Sequence, residues 1–355
     1  MKHLLLLTPG FAADTNDESC IPALQWLVKG FLKAGVTVQV IALEYPFRDT
    51  PYDWHGARIY PCNGQNKRLF KIRTLYRADR WCRRLLKQTP HASLLSAWLG
   101  WTSLLAERRA KKSGRPHFTI LMGQDVLPAN RLHFYGLNAE RCRRLIAVSR
   151  QQNEIFFQNT GFYAAQVIPW GLEAVDAPGD AAENRPLDVL GVGSLVEVKN
   201  WHKWLEVLAV ATREKQDLRA ELVGDGPLMQ ELRLRAEQWG IAGQARFVGA
   251  LPRRSVLQKM QSAKVLLHTA DFESYGLVLA EAAQQGCHLV STPVGIAPEI
   301  GALMADSPHK LAEILLETLQ KAAPAAPNTP FAGAQTLAQY HRLLFGNCLK
   351  SPDGR

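Results

Sequence analysis

Three side chains in this sequence have the type and spacing to do chemistry: Glu273, Glu281 and Lys199. The two glutamates have seven residues between them. Glu273 stands in a polar loop, Glu273-Ser274-Tyr275-Gly276, and Glu281 in the apolar run that follows. The stretch VLLHTA, from Val265 to Ala270, reads as a buried strand entering the loop. Leu277 to Ala283 reads as a buried helix leaving it, with Gly286 as its C-terminal stop. A strand, a polar loop and a helix start put unpaired backbone N–H groups at the carboxyl end of a parallel sheet, where α/β proteins bind anions. A carboxylate there is costly unless it meets a cation or hydroxyls, and sugar hydroxyls suit Glu273. The plainer reading is a solvated Glu pair flanking an ordinary buried helix. His268, inside the strand, reads as a packed histidine.

The stretch ESYGLVLAEA, Glu273 to Ala282, with Gly286 and the strand and turn HLVSTPVG after it, resembles the E-x7-E motif of retaining GT-B glycosyltransferases, especially family 4, the glycosyl transferases group 1. Gly193-Ser194-Leu195, followed by Lys199-Asn200, is similar to that family's G-R/S-L-x-x-x-K-G/N, with Ser194 where many members have Arg. Gly224-Asp225-Gly226-Pro227 resembles the turn near the donor nucleotide. Arg246 to Gly249, with Val248, resembles the segment that pairs with the base edge. Gln166 to Glu173 resembles the end of the first domain, and Pro298-Glu299-Ile300 a further segment of mostly structural role. Met122 to Val126, with Gln124 and Asp125, resembles an H-G-x-D loop in which Met122 replaces the histidine. A methionine has no proton to donate and bonds hydroxyls poorly. Asp125 is read either as an acceptor contact or as an N-cap.

The resemblance is strong over residues 187–301 and weak over 1–175. It implies an α/β protein of GT-B architecture: two Rossmann-like domains facing a cleft. Residues 1–175 are the acceptor domain and 187–328 the nucleotide-sugar domain, with 329–355 a helix crossing back to the first. Residues 174–186 form the linker. The implied reaction moves a hexose-type sugar from a nucleoside diphosphate to an acceptor hydroxyl with retention. The implied acceptor is a glycan or a lipid-linked molecule of cell-envelope or polysaccharide biosynthesis. Glu273 and Lys199 are the expected catalytic pair. The expected donor-binding set is Gly10, Gly193, Ser194, Lys199, Gly224, Val248, Glu273, Ser274, Tyr275, Gly276, Leu277 and Glu281, and the expected acceptor contacts are Gln124 and Asp125. Lys199 and the amides around Tyr275, Gly276 and Leu277 serve the diphosphate, Glu273 the sugar and Glu281 the ribose. No D-x-D occurs, so neither metal nor cofactor is expected. The alternatives are a nucleotide-sugar epimerase or hydrolase of the same fold, and a nucleotide-sugar-binding protein impaired in catalysis through Met122.

These residues need two sheets to position them, and 355 residues suffice for two domains. His3 to Thr8 reads as a first buried strand, Ile21 to Lys33 as an amphipathic helix and Thr37 to Leu43 as a second strand, a Rossmann-like start with Gly10 as the loop's one glycine. Residues 45–66 are rich in turn formers and read as loop. Ala92 to Trp98, Phe118 to Leu121 and Arg141 to Ser149 read as further strands, and Ser149 as the cap of a helix over 151–158. Lys67 to Lys87 holds nine Lys and Arg against one acid, with apolar residues interleaved. It reads either as a basic amphipathic helix on an anionic membrane or as a helix packing its apolar face on the core. The last helix spans Ala332 to Leu349, after a Pro-rich break over 322–330.

The charge is lopsided. Residues 1–180 carry 24 Lys and Arg against 14 Asp and Glu, and the rest carry 18 of each. An anionic partner is therefore expected on the N-terminal half. Signatures of nucleic-acid binding are lacking, so no nucleic-acid partner is expected. The six cysteines are scattered and read as thiols of a reducing compartment. The apolar start, Leu4 to Leu7, is too short for a secretion signal, and no apolar span would cross a bilayer. The expected location is the cytoplasm, either free or peripheral on the inner membrane face.

Overall fold

A computed structural model describes residues 2–172, 185–322 and 331–346. The chain divides into two units, one formed by Met1–Gly171 with Gly333–Arg355 and the other by Leu172–Ala332.

In the first unit the chain runs β1 (His3–Gly10), α1 (Pro22–Lys33), β2 (Thr37–Tyr45), β3 (Tyr52–Trp54), β4 (Ala57–Pro61), α2 (Lys71–Gln88), β5 (Ser93–Ala97) and α3 (Trp101–Ser113). It continues with β6 (His117–Ile120), α4 (Ala139–Cys142), β7 (Leu145–Ala147), α5 (Arg150–Thr160) and β8 (Gln166–Val167). The sheet order is β3-β4-β2-β1-β5-β6-β7-β8, parallel except for β3. Leu4 to Leu7 of β1 are buried on both faces, as a strand covered by helices on each side requires. The last helix, α11 (Gly333–Phe345), belongs to this unit. Ser93 Oγ donates to Leu344 O at 2.7 Å, and Thr336 Oγ1 to Pro169 O at 3.0 Å.

Two stretches depart from expectation. Residues 45–66 are not loop throughout: Tyr52–Trp54 and Ala57–Pro61 form an antiparallel hairpin at the sheet edge, with β4 parallel to β2. The stretch from Arg141 to Ser149 is not one strand. It begins in α4, where the Asn138 side chain caps by accepting from Arg141 N, and only Leu145–Ala147 is extended. Ser149 does cap α5, accepting from Gln152 N at 3.0 Å. In α2 the two readings of the basic stretch divide between faces. Thr74, Ala78, Cys82, Leu85 and Leu86 are buried, while Leu69 just ahead of the helix, Ile72 and Tyr76 are 92%, 85% and 61% exposed. Among the described residues no helix is long and apolar enough to cross a membrane.

The second unit runs β9 (Leu187–Val192), α6 (Trp201–Ala211), β10 (Ala220–Val223), α7 (Met229–Gln238), β11 (Ala245–Gly249), α8 (Arg253–Ser262) and β12 (Ala263–His268). Then come α9 (Leu277–Gln284), β13 (His288–Ser291), β14 (Leu303–Met304) and α10 (Pro308–Leu319). The six parallel strands are ordered β11-β10-β9-β12-β13-β14. The chain builds outward from β9 in one direction and then from β12 in the other. The order therefore reverses between β9 and β12, and their carboxyl-end loops diverge around a crevice. Trp201, Trp204, Leu205 and Leu208 of α6 are buried among Val189, Leu222, Val265 and Leu315, fixing that helix to the sheet. Removing an indole from such a position typically costs about 3–5 kcal/mol. Of the expected linker, 174–184 lie outside the described residues, as do Glu173, 323–330 and the end of the last helix from 347. Arg185 is not linker: it is 6% exposed and donates to the carbonyls of Met260, Ala263 and Gln285 at 2.7–3.1 Å.

Candidate functional site

Both loops at the reversal point of the second sheet are held by backbone contacts. After β9, Gly193 N donates to Val223 O at 3.0 Å and Leu195 N to Asp225 O at 2.9 Å, which lays the Gly193 loop along the Gly224 turn. Gly224 sits at φ 148°, and a Cβ there would fall 1.8 Å from Gly193 O, so no larger residue fits. The β9 loop ends in a 3₁₀ turn, Glu197–Lys199, and then Asn200 in a left-handed conformation. The Asn200 side chain caps α6, accepting from Lys203 N at 3.1 Å.

The β12 loop is tied to that turn. Asp271 N donates to Val198 O at 3.0 Å, Thr269 Oγ1 to Asn200 O at 3.0 Å, and Asn200 Nδ2 to Asp271 Oδ1 at 2.8 Å. On its other side, Thr292 N donates to His268 O at 2.9 Å and Ile296 N to Tyr275 O at 2.8 Å. Gly276, at φ 83°, is the N-cap of α9 and has no side chain to satisfy the amides of the first turn. Those amides and the helix dipole make the start of α9 electropositive.

Between the loops, Lys199 Nζ donates to Glu273 Oε1, and His268 Nε2 lies 3.1 Å from the same oxygen. Lys199 and Glu273 side chains are 20% and 13% exposed, and His268 is buried. Burial pushes the Glu273 carboxyl up. His268 and the Lys199 charge more than reverse that and hold it at about 2. Lys199 stands one residue ahead of a helix N-cap, where a cation is unfavourable unless an anion balances it; here Glu273 does so. His268 is packed, as expected, and also touches the key carboxylate.

Glu281, 8% exposed, meets a partner that nothing in the sequence singled out: Arg253 donates to Oε1 from Nε at 3.0 Å and Nη2 at 2.7 Å. They stand 28 positions apart, and no local pattern links the two. Val248 is half-buried near the end of edge strand β11, and Ser194 is exposed at the rim of the Gly193 loop. The Tyr275 side chain is 3% exposed and its ring lies against Phe331, with centroids 6.2 Å apart, so its backbone is what faces the loop.

Three expected residues lie in the first unit. Gly10 ends β1, where a Cβ would meet Cys20 Sγ at 3.4 Å, an ordinary contact that leaves the position without a need for glycine. Gln124 is exposed. Asp125 is neither an N-cap nor open to solvent: at 5% exposure its carboxylate accepts from Leu99 N at 2.8 Å, Gly123 N at 2.7 Å and Met122 N at 3.2 Å. It holds together the loops after β5 and β6 and, with Gln124, lines a cavity of the first unit.

Residues 178–303 match the family model described as glycosyl transferases group 1. A stretch of 109 residues is 37% identical to the Vi polysaccharide biosynthesis protein VipC/TviE of Salmonella typhi, covering 31% of this chain and 18% of that protein. The matched stretch is thus a small part of that relative's length. Anabaena HepE in complex with UDP-glucose superposes with a TM-score of 0.69 at 18% identity, over 98% of this chain and 100% of the other. WaaG, a glycosyltransferase involved in lipopolysaccharide biosynthesis, superposes with a TM-score of 0.64 at 15% identity, over 97% and 100%. At these identities the two structures establish the fold, which is GT-B.

Proposed function

We propose, from the match of residues 178–303 to the glycosyl transferases group 1 model, that the chain moves a sugar from a nucleoside diphosphate to an acceptor hydroxyl, with retention at the anomeric carbon. The observation that carries this reading is the meeting of Lys199 and Glu273 at the reversal point of the second sheet, beside the uncapped start of α9.

The donor's glycosidic bond breaks with negative charge accumulating on the departing diphosphate. Lys199 and the amides around Tyr275, Gly276 and Leu277 offset that charge, with Ser194 adding a hydroxyl. These donors make the reaction independent of a metal ion. Glu273, kept ionised by its two neighbours, accepts hydrogen bonds from hydroxyls of the transferred sugar. Glu281, gripped by Arg253 at Oε1, takes the ribose hydroxyls. Gly224 and Val248 flank the nucleoside. The acceptor oxygen bonds to the anomeric carbon as the phosphate leaves, and its proton passes to that phosphate.

The acceptor is a glycan or lipid-linked molecule of envelope or polysaccharide assembly; polysaccharide biosynthesis is what the Salmonella relative is named for. The chain works in the cytoplasm, docking on an anionic inner membrane face through the exposed basic and apolar residues of 67–87. The second reading, binding without turnover, is favoured by Met122 in the histidine position.

A thermal-shift screen of nucleotide sugars tests the proposal, because a ligand that binds the native state raises its melting temperature by mass action. One nucleotide sugar should stabilise strongly and be consumed when an acceptor is present. No stabilisation by any of them would reject donor binding, and stabilisation without consumption would select the second reading.

A further inference from the structure

The first unit carries a cavity that the donor chemistry does not use. Its strand order also reverses, between β1 and β5, and a cavity of about 410 Å³ lies at that reversal. Pro9 near the end of β1, Glu44 of β2, Trp98 after β5, and Gln124 and Asp125 after β6 all line it, so it occupies the place where an open parallel sheet takes a ligand. Trp98 is held at φ 69°, a left-handed conformation that costs a non-glycine residue free energy and that persists at ligand sites. Trp101, 46% exposed, forms a second aromatic wall. The polar lining is an ion pair, Lys71 Nζ to Glu44 Oε1 at 2.8 Å, with Glu44 Oε2 also accepting from Asn66 N at 3.1 Å. Each partner keeps bonding capacity, since a carboxylate has about four acceptor sites and an ammonium three donors. Indole faces with a few convergent donors and acceptors suit a pyranose, whose C–H face is apolar and whose rim is hydroxyl.

Trp101 is shared with a second hollow of about 330 Å³ between α2 and α3, lined by Leu75, Tyr76, Leu104 and Leu105 and by Asp79, whose charge is paired with Arg109. Leu104 and Tyr76 are 37% and 61% exposed. Ile72, 85% exposed, lies one turn ahead of Tyr76 on α2, and exposed Arg108 closes the far side of the groove. A polar, aromatic cavity and a largely apolar groove thus share one indole, Trp101, as a common wall, and Arg108 stands at the groove's edge.

We propose that this pair is the binding site of a membrane-borne glycolipid, with its sugar in the Trp98–Trp101 cavity and its hydrocarbon tail along the α2–α3 groove. Arg108 complements the anionic lipid surface in which such a molecule resides. This deepens the proposed transfer reaction by naming its acceptor class, and it rests on that reading.

Titration of the full chain with methyl, hexyl and nonyl glycosides of glucose, galactose and mannose, below their micelle concentrations and followed by tryptophan fluorescence, tests it. A fully buried methylene strengthens binding by roughly fourfold. Affinity for at least one sugar should therefore climb tenfold or more from methyl to nonyl, even with the tail partly covered. Leu104→Glu and, independently, Tyr76→Glu should flatten the climb, and Trp101→Ala should weaken every chain length. Both groove positions are at the surface, so one variant suffices if the other misfolds. Affinity independent of chain length would indicate a soluble glycan and overturn the proposal. So would a climb that both groove variants leave intact, or no binding at all. A UDP titration of the same sample separates this failure from failure of the donor reading, because Lys199, Glu273 and Glu281 lie in the other unit.

Discussion

Replacing Lys199 by alanine leaves Glu273 buried with His268 alone. In the native protein the Glu273 carboxyl is pushed up by burial yet held at about 2 by His268 and Lys199, against an ordinary value of 4.5. That difference corresponds to on the order of 3 kcal/mol of native-state stabilisation. A carboxyl lowered in the folded state contributes fully above its unfolded value, so the contribution is complete above pH 4.5 and fades as pH falls through about 2. Lys199 shares the effect with His268, so Lys199→Ala should lose roughly half, about 1–2 kcal/mol at neutral pH. The gap between variant and native protein should narrow as the pH is lowered towards 2. The same change removes one charge-assisted hydrogen bond to a diphosphate, which is about 1.5–3 kcal/mol and hence a 10- to 100-fold loss of affinity. Denaturant unfolding at several pH values reads the first effect, and calorimetric titration with UDP at neutral pH the second. A variant as stable as the native chain at pH 7, or a deficit that persists unchanged in acid, would refute the pairing argument. Undiminished UDP affinity would remove Lys199 from the phosphate site.

Glu273→Gln keeps the shape of the side chain but not its charge; transfer should fall by roughly 10²-fold or more with the chain still folded, as judged by circular dichroism and turnover. Arg253→Ala frees the Glu281 carboxylate from its guanidinium, and should weaken nucleoside binding in calorimetry while leaving the bare pyrophosphate interaction intact. Arg73, Arg80 and Arg84 are exposed on α2; changed together to Glu, they should release the protein from vesicles rich in anionic lipid in a flotation assay, and unaltered flotation would discard the membrane reading. Arg77 is spared in that design because it is paired with Asp49.

Much of the second unit was legible because its signals are local. Unbroken apolar runs such as Val265 to Leu267 mark strands covered on both faces, and glycines at the strand ends mark tight loops. The edge hairpin at 52–61 escaped because Pro51, Gly56 and Pro61 punctuate it, and short edge strands do not outweigh such breakers. Arg141 to Ser149 misled because Leu145–Ala147 dominates its pattern while the Asn138 cap lies outside it. Within the site, residue types pointed to Lys199 and Glu273 separately, one for phosphate and one for sugar. That they grip each other across 74 positions, or that Arg253 grips Glu281, is a property of the sheet order that no local spacing encodes. Asp125 was visible as a polar residue at a strand end, but only the fold shows three amides converging on it.

The most direct measurement is a crystal structure with the nucleotide sugar that most stabilises the protein. The diphosphate should lie within hydrogen-bonding distance of Lys199 Nζ and the amides at the start of α9, with the hexose hydroxyls on the Glu273 carboxylate. A donor bound elsewhere, with the Lys199–Glu273 pair untouched, would contradict the account.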